Sequence, residues 1–324
     1  MADFAAGRRA AGGAGALMKI VIFGGGGFIG RHLARRLSAR GHHLIIPTRD
    51  REKAKELFVL PATDIVAYDP GAWQGVLPLL EGADAVINLA GILNERSGGE
   101  FVRVHNEFVR VLCDRCVAKK VRRLVHISAL NAVGAAPSEY LRSKAKAEQI
   151  VRGATLRHVI VRPSVVFGRG DSFVTLFVRL AKILPVLFLP CAYSVLQPIA
   201  ADDLTAMIVH AAETGDEDGK ILSAGGPQKL TLAEIVRAAL DAAGVRRPVV
   251  ELGPALSFAA GAIMEAIPGV HLFSRDNCLS ANLHSVTTGG NDAERILGRL
   301  TSLRAGLAEM YDSGGAGLRA HLRR

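Results

Sequence analysis

Three sets of side chains in this 324-residue chain have types and spacings that could do chemistry. The first is Gly24-Gly25-Gly26-Gly27-Phe28-Ile29-Gly30, which follows a short apolar run and opens a helical pattern. A glycine at 24 allows a tight turn, one at 27 lets backbone approach a pyrophosphate, and one at 30 permits close helix–strand packing. The helix N-terminus then offers its N–H groups to phosphates. The second set is Thr48-Arg49-Asp50, 25 residues beyond Gly24 at Arg49. An acid at about this distance meets a free ribose 2′-hydroxyl, whereas an arginine pairs with a 2′-phosphate. Arg49, with Arg31 directly after Gly30, favours NADP over NAD, and Asp50 is the competing signal. The third set is Tyr140 and Lys144, four residues apart and so on one helix face. A lysine ammonium there lowers the phenol's pKa and can hold the nicotinamide ribose, leaving the tyrosine to donate or accept a proton.

Positioning these groups takes a regular frame. Apolar runs at Lys19–Phe23, His43–Pro47, Ile65–Tyr68, Ala85–Leu89, Arg123–Ser128 and His158–Arg162 read as strands. Helical patterns lie between them, among them a long helix over Glu100–Lys120 and another over Pro137–Arg152. Strands that are apolar throughout and alternate with helices predict a parallel sheet covered on both faces. The fold class is therefore α/β, a doubly wound Rossmann-type sheet with a smaller C-terminal substrate lobe. Residues 18–165 form the expected dinucleotide-binding domain, with segments near 190–225 returning to it, and 166–324 mostly the lobe. In the lobe, Phe173–Leu184, Thr231–Ala243 (Thr231 and Glu234 as a capping box) and Pro254–Ile267 read as helices and Lys220–Ser223 as a strand.

Composition sets limits. Hydrophobic residues make up 49% of the chain, which excludes a disordered one. The net charge of +10 raises polyanions as partners, but it is localised. Residues 31–55 hold eight basic side chains and two acids, and residues 103–123 hold seven and two. Aromatics are 5% and do not interleave with this charge, so no nucleic-acid partner is expected. Cys113 and Cys116 form C-x-x-C inside a helical stretch without a second ligand pair, and read as packed thiols rather than a metal or redox site. The four cysteines and the rest of the chain point to the cytoplasm. Residues 1–17 read as a tail or an upstream start rather than a signal peptide.

These signals in this order resemble the extended short-chain dehydrogenase/reductase superfamily. The resemblance rests on F-G-G-G-G-F-I-G-R (23–31), V-I-N-L-A-G (86–91), Asn106, L-V-H-I-S-A (124–129), Y-L-R-S-K-A-K-A-E (140–148), R-P-S-V-V-F-G (162–168) and Q-P-I-A-A-D-D-L (197–204), over roughly residues 18–210. It implies that Asp69 lies near the adenine and that Leu89, Ala90 and Gly91 line the ribose and pyrophosphate. Ser128, Tyr140, Lys144, Pro163 and Val166 are implied around the nicotinamide, and Asn106 as the support of the active-site helix and its water.

One position departs from the pattern. The family usually carries a Ser or Thr directly after the strand-five I-S, to hydrogen-bond the reacting oxygen, and here that residue is Ala129. Losing such a donor weakens transition-state stabilisation by about 2–4 kcal/mol. Ser128 and Asn131 are the alternative donors. The departure, with N-L-A-G-I-L-N-E (88–95) and S-R-D-N (274–277), is similar to the branch that holds the nucleotide-binding accessory subunit of respiratory complex I and its bacterial relatives. That branch implies tightly held NADP and a structural or quinone-related role. The leading expectation is an NADP(H)-dependent oxidoreductase or epimerase/dehydratase-like enzyme acting on a small or lipophilic, quinone-related substrate, with Tyr140 transferring the proton. The apolar stretches at 173–189 and 254–273 read first as ordinary core, with a lipophilic substrate pocket or a membrane surface as the alternatives. The alternative is an accessory or assembly protein of low turnover, attached to a respiratory complex or peripheral to the inner membrane. A homodimer through the helices at 100–120 and 137–152 is implied by the superfamily, no metal is expected, and His271 reads as a surface residue.

Overall fold

A computed structural model describes residues 16–68, 73–95, 97–266 and 273–321. Asp69, His271, the end of the predicted helix at Ile267 and most of the N-terminal tail lie outside the described residues. The elements, in chain order, begin with β1 (Lys19–Phe23), α1 (Phe28–Ala39), β2 (His43–Thr48), β3 (Thr63–Ala67) and β4 (Ala85–Asn88). There follow α2 (Phe108–Ala118), β5 (Arg123–Ile127), α3 (Glu139–Gly153), β6 (His158–Pro163) and β7 (Val166–Phe167). Next come α4 (Val174–Ile183), β8 (Leu187–Leu189), β9 (Val195–Leu196), β10 (Ile199–Ala200), α5 (Ala201–Glu213), β11 (Ile221–Ala224) and β12 (Leu230–Thr231). The chain ends with α6 (Leu232–Ala242), β13 (Val249–Glu251), α7 (Pro254–Ala266), α8 (Arg275–Ala281), α9 (Asp292–Leu297) and α10 (Leu303–His321).

Seven strands form one parallel sheet in the order β11-β6-β5-β4-β1-β2-β3. This is the doubly wound α/β fold predicted from the sequence. The strand order reverses at β1, which has β2 on one side and β4 on the other, and ligands bind such sheets in the crevice beyond the strand ends at that point. Alternate residues of the central strands feed two cores. Ile20, Ile22, Ile87, Val125 and Val161 pack towards α1 and α5, and Val21, Phe23, Val86 and Leu124 towards α2. Full burial of a side chain of this size stabilises by roughly 1.5–3 kcal/mol, which is why the strands read as continuous apolar runs. The edge strand β3 begins at Thr63, two residues before its apolar signal. It pairs on one side only and is half-exposed, so its first residues are polar.

The predicted helix over 100–120 is interrupted. Val102–Glu107 is a π-helical turn that leads into α2. Such turns add a residue without breaking the backbone ladder and re-aim side chains, frequently at functional sites. Here the turn carries His105 and Asn106, and both reach α3. The capping box predicted at Thr231 and Glu234 is present.

A third core, including Phe167, Val178, Leu187, Leu189, Ile235 and Leu307, sits between α4, α6, α10 and the short strands β7 and β8. Part of the charge in the two basic segments is structural. Arg40 is bidentate on Glu213, Arg35 pairs with Glu56, and Arg51 lies over Phe58. Buried Arg123 is bidentate on Asp218, and Lys119 pairs with Glu81. Cys113 and Cys116 are free and buried, and burial pushes both thiols up, Cys113 to about 12. Among the described residues no group of His, Cys, Asp or Glu could hold a metal ion, and no helix is long and apolar enough to cross a membrane.

Candidate active site

The glycine-rich turn bridges β1 and α1 at the crevice. Gly24 has φ +79°, and a Cβ there would lie 2.9 Å from the Leu89 carbonyl carbon and 3.0 Å from the Ala90 nitrogen. A Cβ at Gly30 would run into the Gly24 oxygen and the Gly25 backbone. Glycine is therefore required at both positions by φ or by close approach. Gly27 is the N-cap of α1 and offers no side-chain cap, which leaves the first-turn N–H groups to an anion. The Phe28 ring lies against Gly168, and Ile29 packs on the core below. Arg31 donates from Nη1 to the Gly26 carbonyl at 2.9 Å and abuts Gly170, so it braces the turn.

At the end of β2, the Thr48 hydroxyl and the Asp50 backbone close a tight loop. One Asp50 carboxylate oxygen accepts the Glu52 N–H at 3.0 Å and so is engaged with its own backbone. Arg49 is exposed on the same loop, within electrostatic reach of Tyr68.

The reactive side is built on α3. Ser138 caps this helix through its hydroxyl, and the Asp276 carboxylate adds two further bonds, from the Glu139 N–H at 2.6 Å and the Tyr140 N–H at 3.1 Å. Such caps are typically worth about 1 kcal/mol. Tyr140 lies in the first turn, with its ring 5.9 Å from His105 and 6.0 Å from Phe101. Burial pushes its phenol up to about 12. Lys144 is buried one turn on and donates to the Ile127 carbonyl at 2.6 Å. Burial lowers its ammonium to about 8, with Glu148 acting in the opposite sense. The predicted acidification of Tyr140 by Lys144 is thus not what the structure has. The ammonium is turned onto the β5 carbonyl, and desolvation governs the phenol.

His105 and Asn106 hold α3 against the strand ends. His105 Nε2 accepts the Ile92 N–H at 3.1 Å, which leaves the proton on Nδ1. Nδ1–H faces the Ser143 hydroxyl at 2.8 Å, and that hydroxyl donates to the Tyr140 carbonyl at 2.7 Å. Burial, then the Lys144 charge, lowers the imidazole to about 3, so it is neutral. Asn106 donates to the Ser143 carbonyl at 2.9 Å. The Gly91 backbone passes close to both His105 Nε2 and Lys144 Nζ.

Two buried polar atoms on one face of β5 have no hydrogen-bond partner among the described residues: Ser128 Oγ and His126 Nε2. Asn88 donates to His126 Nδ1 at 3.1 Å, so the unpaired Nε2 carries a proton. Buried polar groups are rarely left alone. An unpaired hydroxyl between the glycine-rich crevice and α3 fits a bound nicotinamide nucleotide. Ala129, half-buried beside it, has no polar side chain, and Asn131 is not free to replace one. With φ +62°, it donates to the carbonyls of Leu283 and His284 at 3.0 and 2.9 Å. Residues 274–287 wall the far side. They also meet Asn94 through Ser274, Ser164 through Ser285, and Gln197 through Thr287.

Comparison with known proteins agrees with this geometry. A family model for NAD(P)H-binding matches residues 24–176, and one for the RmlD substrate binding domain matches residues 134–262. The chain belongs to the NAD(P)-binding extended short-chain dehydrogenase/reductase and epimerase family. Within reach of this family it is 30% identical over 221 residues to NADH dehydrogenase [ubiquinone] 1 alpha subcomplex subunit 9, mitochondrial, from Mus musculus, covering 67% of this chain and 59% of that protein. It is 29% identical over 247 residues to the ceramide reductase of Caulobacter vibrioides, covering 76% and 77%. The chain spans about three-fifths of the length of its mitochondrial relatives. Among solved structures, MoeE5 in complex with UDP-glucose and NAD superposes with TM-score 0.69 at 19% identity, covering 93% of this chain and 99% of that one. A nucleoside-diphosphate-sugar epimerase from Staphylococcus aureus gives 0.73 at 15% identity, covering 90% and 100%.

Of the residues the sequence singles out for this family's site, Gly24 abuts Leu89 and Ala90, Gly91 lies beside His105 and Lys144, and Lys144, one turn after Tyr140, bonds the carbonyl of Ile127 next to Ser128. Pro163 accepts the Leu130 N–H at the end of β6, and Val166 is packed on the core beside it. Arg49 stands apart at the rim. His105, Ser143 and Asp276 carry no sequence assignment. Their only signals are a histidine next to Asn106 and an acid inside S-R-D-N.

Proposed function

We propose that this chain is an NADP(H)-dependent reductase of a carbonyl on a lipophilic substrate, with Tyr140 as proton donor. The observation that carries the reading is the pairing of Tyr140 and Lys144 on a helix held from both sides, with Lys144 bonded to the carbonyl of Ile127, next in chain to Ser128, whose buried hydroxyl has no partner among the described residues. A bound nicotinamide would supply the hydride. The chain's own residues do the rest. The first-turn N–H groups of α1 would hold the pyrophosphate, and Leu89, Ala90 and Gly91 the adjacent ribose. Lys144 would hold the second ribose and keep positive charge beside the reacting oxygen. Tyr140, protonated at neutral pH, would pass its phenolic proton to the oxygen as the carbonyl becomes an alcohol. Arg49 supports NADP over NAD, because the competing Asp50 carboxylate binds its own backbone. The likeness to a ceramide reductase supports a lipophilic substrate.

Ala129 favours a second reading, an accessory protein that holds the nucleotide and turns over little. Native mass spectrometry of the purified protein, followed by hydride transfer to a panel of ketolipids and quinones, separates the two. Retained NADP(H) with substrate-dependent oxidation supports the reductase. Retained NADP(H) with no transfer supports the accessory role, and NAD alone overturns the reading of Arg49.

A further inference from the structure

We propose that the outer edge of the C-terminal lobe is a docking surface for an anionic phospholipid bilayer, with a basic cleft for the headgroup beside an apolar landing face. Three elements of this edge of the lobe carry exposed apolar side chains. Ile183, at the end of α4, is 80% exposed and Phe188, on β8, is 61% exposed. Phe188 lies beside Val250 in the parallel β8–β13 pair, and the flanking Leu187 and Leu189 point inward, so this side of the ribbon is bare. α7 follows β13 directly. Its inner side is fixed by Ser257, which accepts the Cys191 N–H at 2.8 Å, and by Gly261, which packs on the Ser274–Arg275 backbone. Leu256 and Ile263, seven residues apart and therefore on one face, point away from that contact at 61% and 64% exposure.

The charge beside this face decides what covers it. An open cleft of about 460 Å³ between the end of α6 and the start of β13 is lined by Arg246 and Arg247, by Arg237, whose guanidinium is paired with Glu251 of β13, and by one carboxylate, Asp241. Val249 lines this cleft and is the first residue of β13, so the basic cleft and the apolar ribbon are contiguous. The run from Ser172 to Cys191 adds exposed Arg179 and Lys182 and contains no acid. A second protein would leave these cations to be matched one by one. A bilayer with anionic headgroups matches them as a surface and takes the apolar side chains into the acyl boundary. α7 is also tied to α8 through Glu265 and Arg275, and α8 carries Asp276, which caps the helix of Tyr140. The docked face therefore belongs to the same wall that closes the substrate side.

Flotation of the full chain with vesicles of phosphatidylglycerol and phosphatidylcholine, and of phosphatidylcholine alone, tests this. Binding is expected to the mixed vesicles, weakening with salt, and to fall about tenfold or more in Arg246→Glu/Arg247→Glu and in Ile183→Ser/Phe188→Ser. All four side chains are exposed, and unchanged melting temperatures verify that the variants fold. Absence of binding, or binding that ignores headgroup charge and both double variants, overturns the proposal. So does a dimer that Ile183→Ser/Phe188→Ser dissociates in the absence of vesicle binding, which would make the face a contact between copies. The readout is lipid binding and not turnover, so its failure leaves the reductase reading standing.

Discussion

Asp276 and Tyr140 are 136 residues apart in sequence and joined by a hydrogen bond, with the Tyr140 backbone N–H donating to the Asp276 carboxylate at 3.1 Å. The C-terminal lobe thus sets the first turn of the helix that presents the phenol. Asp276→Ala should cost about 1 kcal/mol of stability, or about 2–4 °C in Tm. It should lower kcat more than it weakens cofactor binding. Calorimetry and steady-state kinetics on the same preparation check both. An unchanged kcat would make the contact purely structural.

Tyr140→Phe should abolish turnover while nucleotide affinity, read by fluorescence titration, changes little. Because burial holds the phenol near 12, the wild-type donor stays protonated across the working range. The Lys144 ammonium loses its proton near 8, so kcat/KM should fall as pH rises through about that value.

Under the reductase reading, Ala129→Ser places a hydroxyl at the position that the resemblance assigns to the donor for the reacting oxygen. A restored donor of this kind contributes about 2–4 kcal/mol to the transition state, so a rise in kcat of about 30-fold or more is expected. Single-turnover measurement separates this gain from product release.

Arg49→Ala should weaken NADPH binding by about tenfold and leave NADH binding nearly unchanged, since only the former carries the 2′-phosphate. Isothermal titration with both nucleotides reads the ratio.

His105 binds protons more weakly folded than unfolded, near 3 instead of 6.5. Its contribution to stability is therefore complete above about pH 6.5 and is lost as pH falls towards 3. The unfolding free energy of the wild type should drop with acid at up to about 1.4 kcal/mol per pH unit from this group alone. His105→Gln should show a flatter acid limb in urea melts at a series of pH values.

Much of the frame was legible because its physics is local or periodic. Strands buried on both faces must be apolar throughout, so β1, β2, β4, β5 and β6 stood out to within a residue or two. Gly24 and Gly30 announced a turn in which any Cβ would collide with backbone. Tyr140 and Lys144 could be placed on one face because helical spacing alone brings i and i+4 together. The π-helical turn at 102–107 was not legible. What makes it is the reach of His105 and Asn106 to Ser143, a contact across 37 and 38 residues that leaves no periodic trace.

By itself, then, the sequence determined the doubly wound sheet, the glycine-rich turn at its switch point and the placing of Tyr140 and Lys144 on one helix face, because periodicity and glycine sterics act over a few residues. Only the tertiary structure decided the electrostatics of that pair. Desolvation raises the Tyr140 phenol and lowers the Lys144 ammonium, and a distant carboxylate on α8 holds their helix. It also decided that Asn131 is spent on the carbonyls of Leu283 and His284, leaving buried Ser128 as the unpaired hydroxyl beside Ala129. Burial and long-range pairing are properties of the packed chain, and no window of sequence contains them.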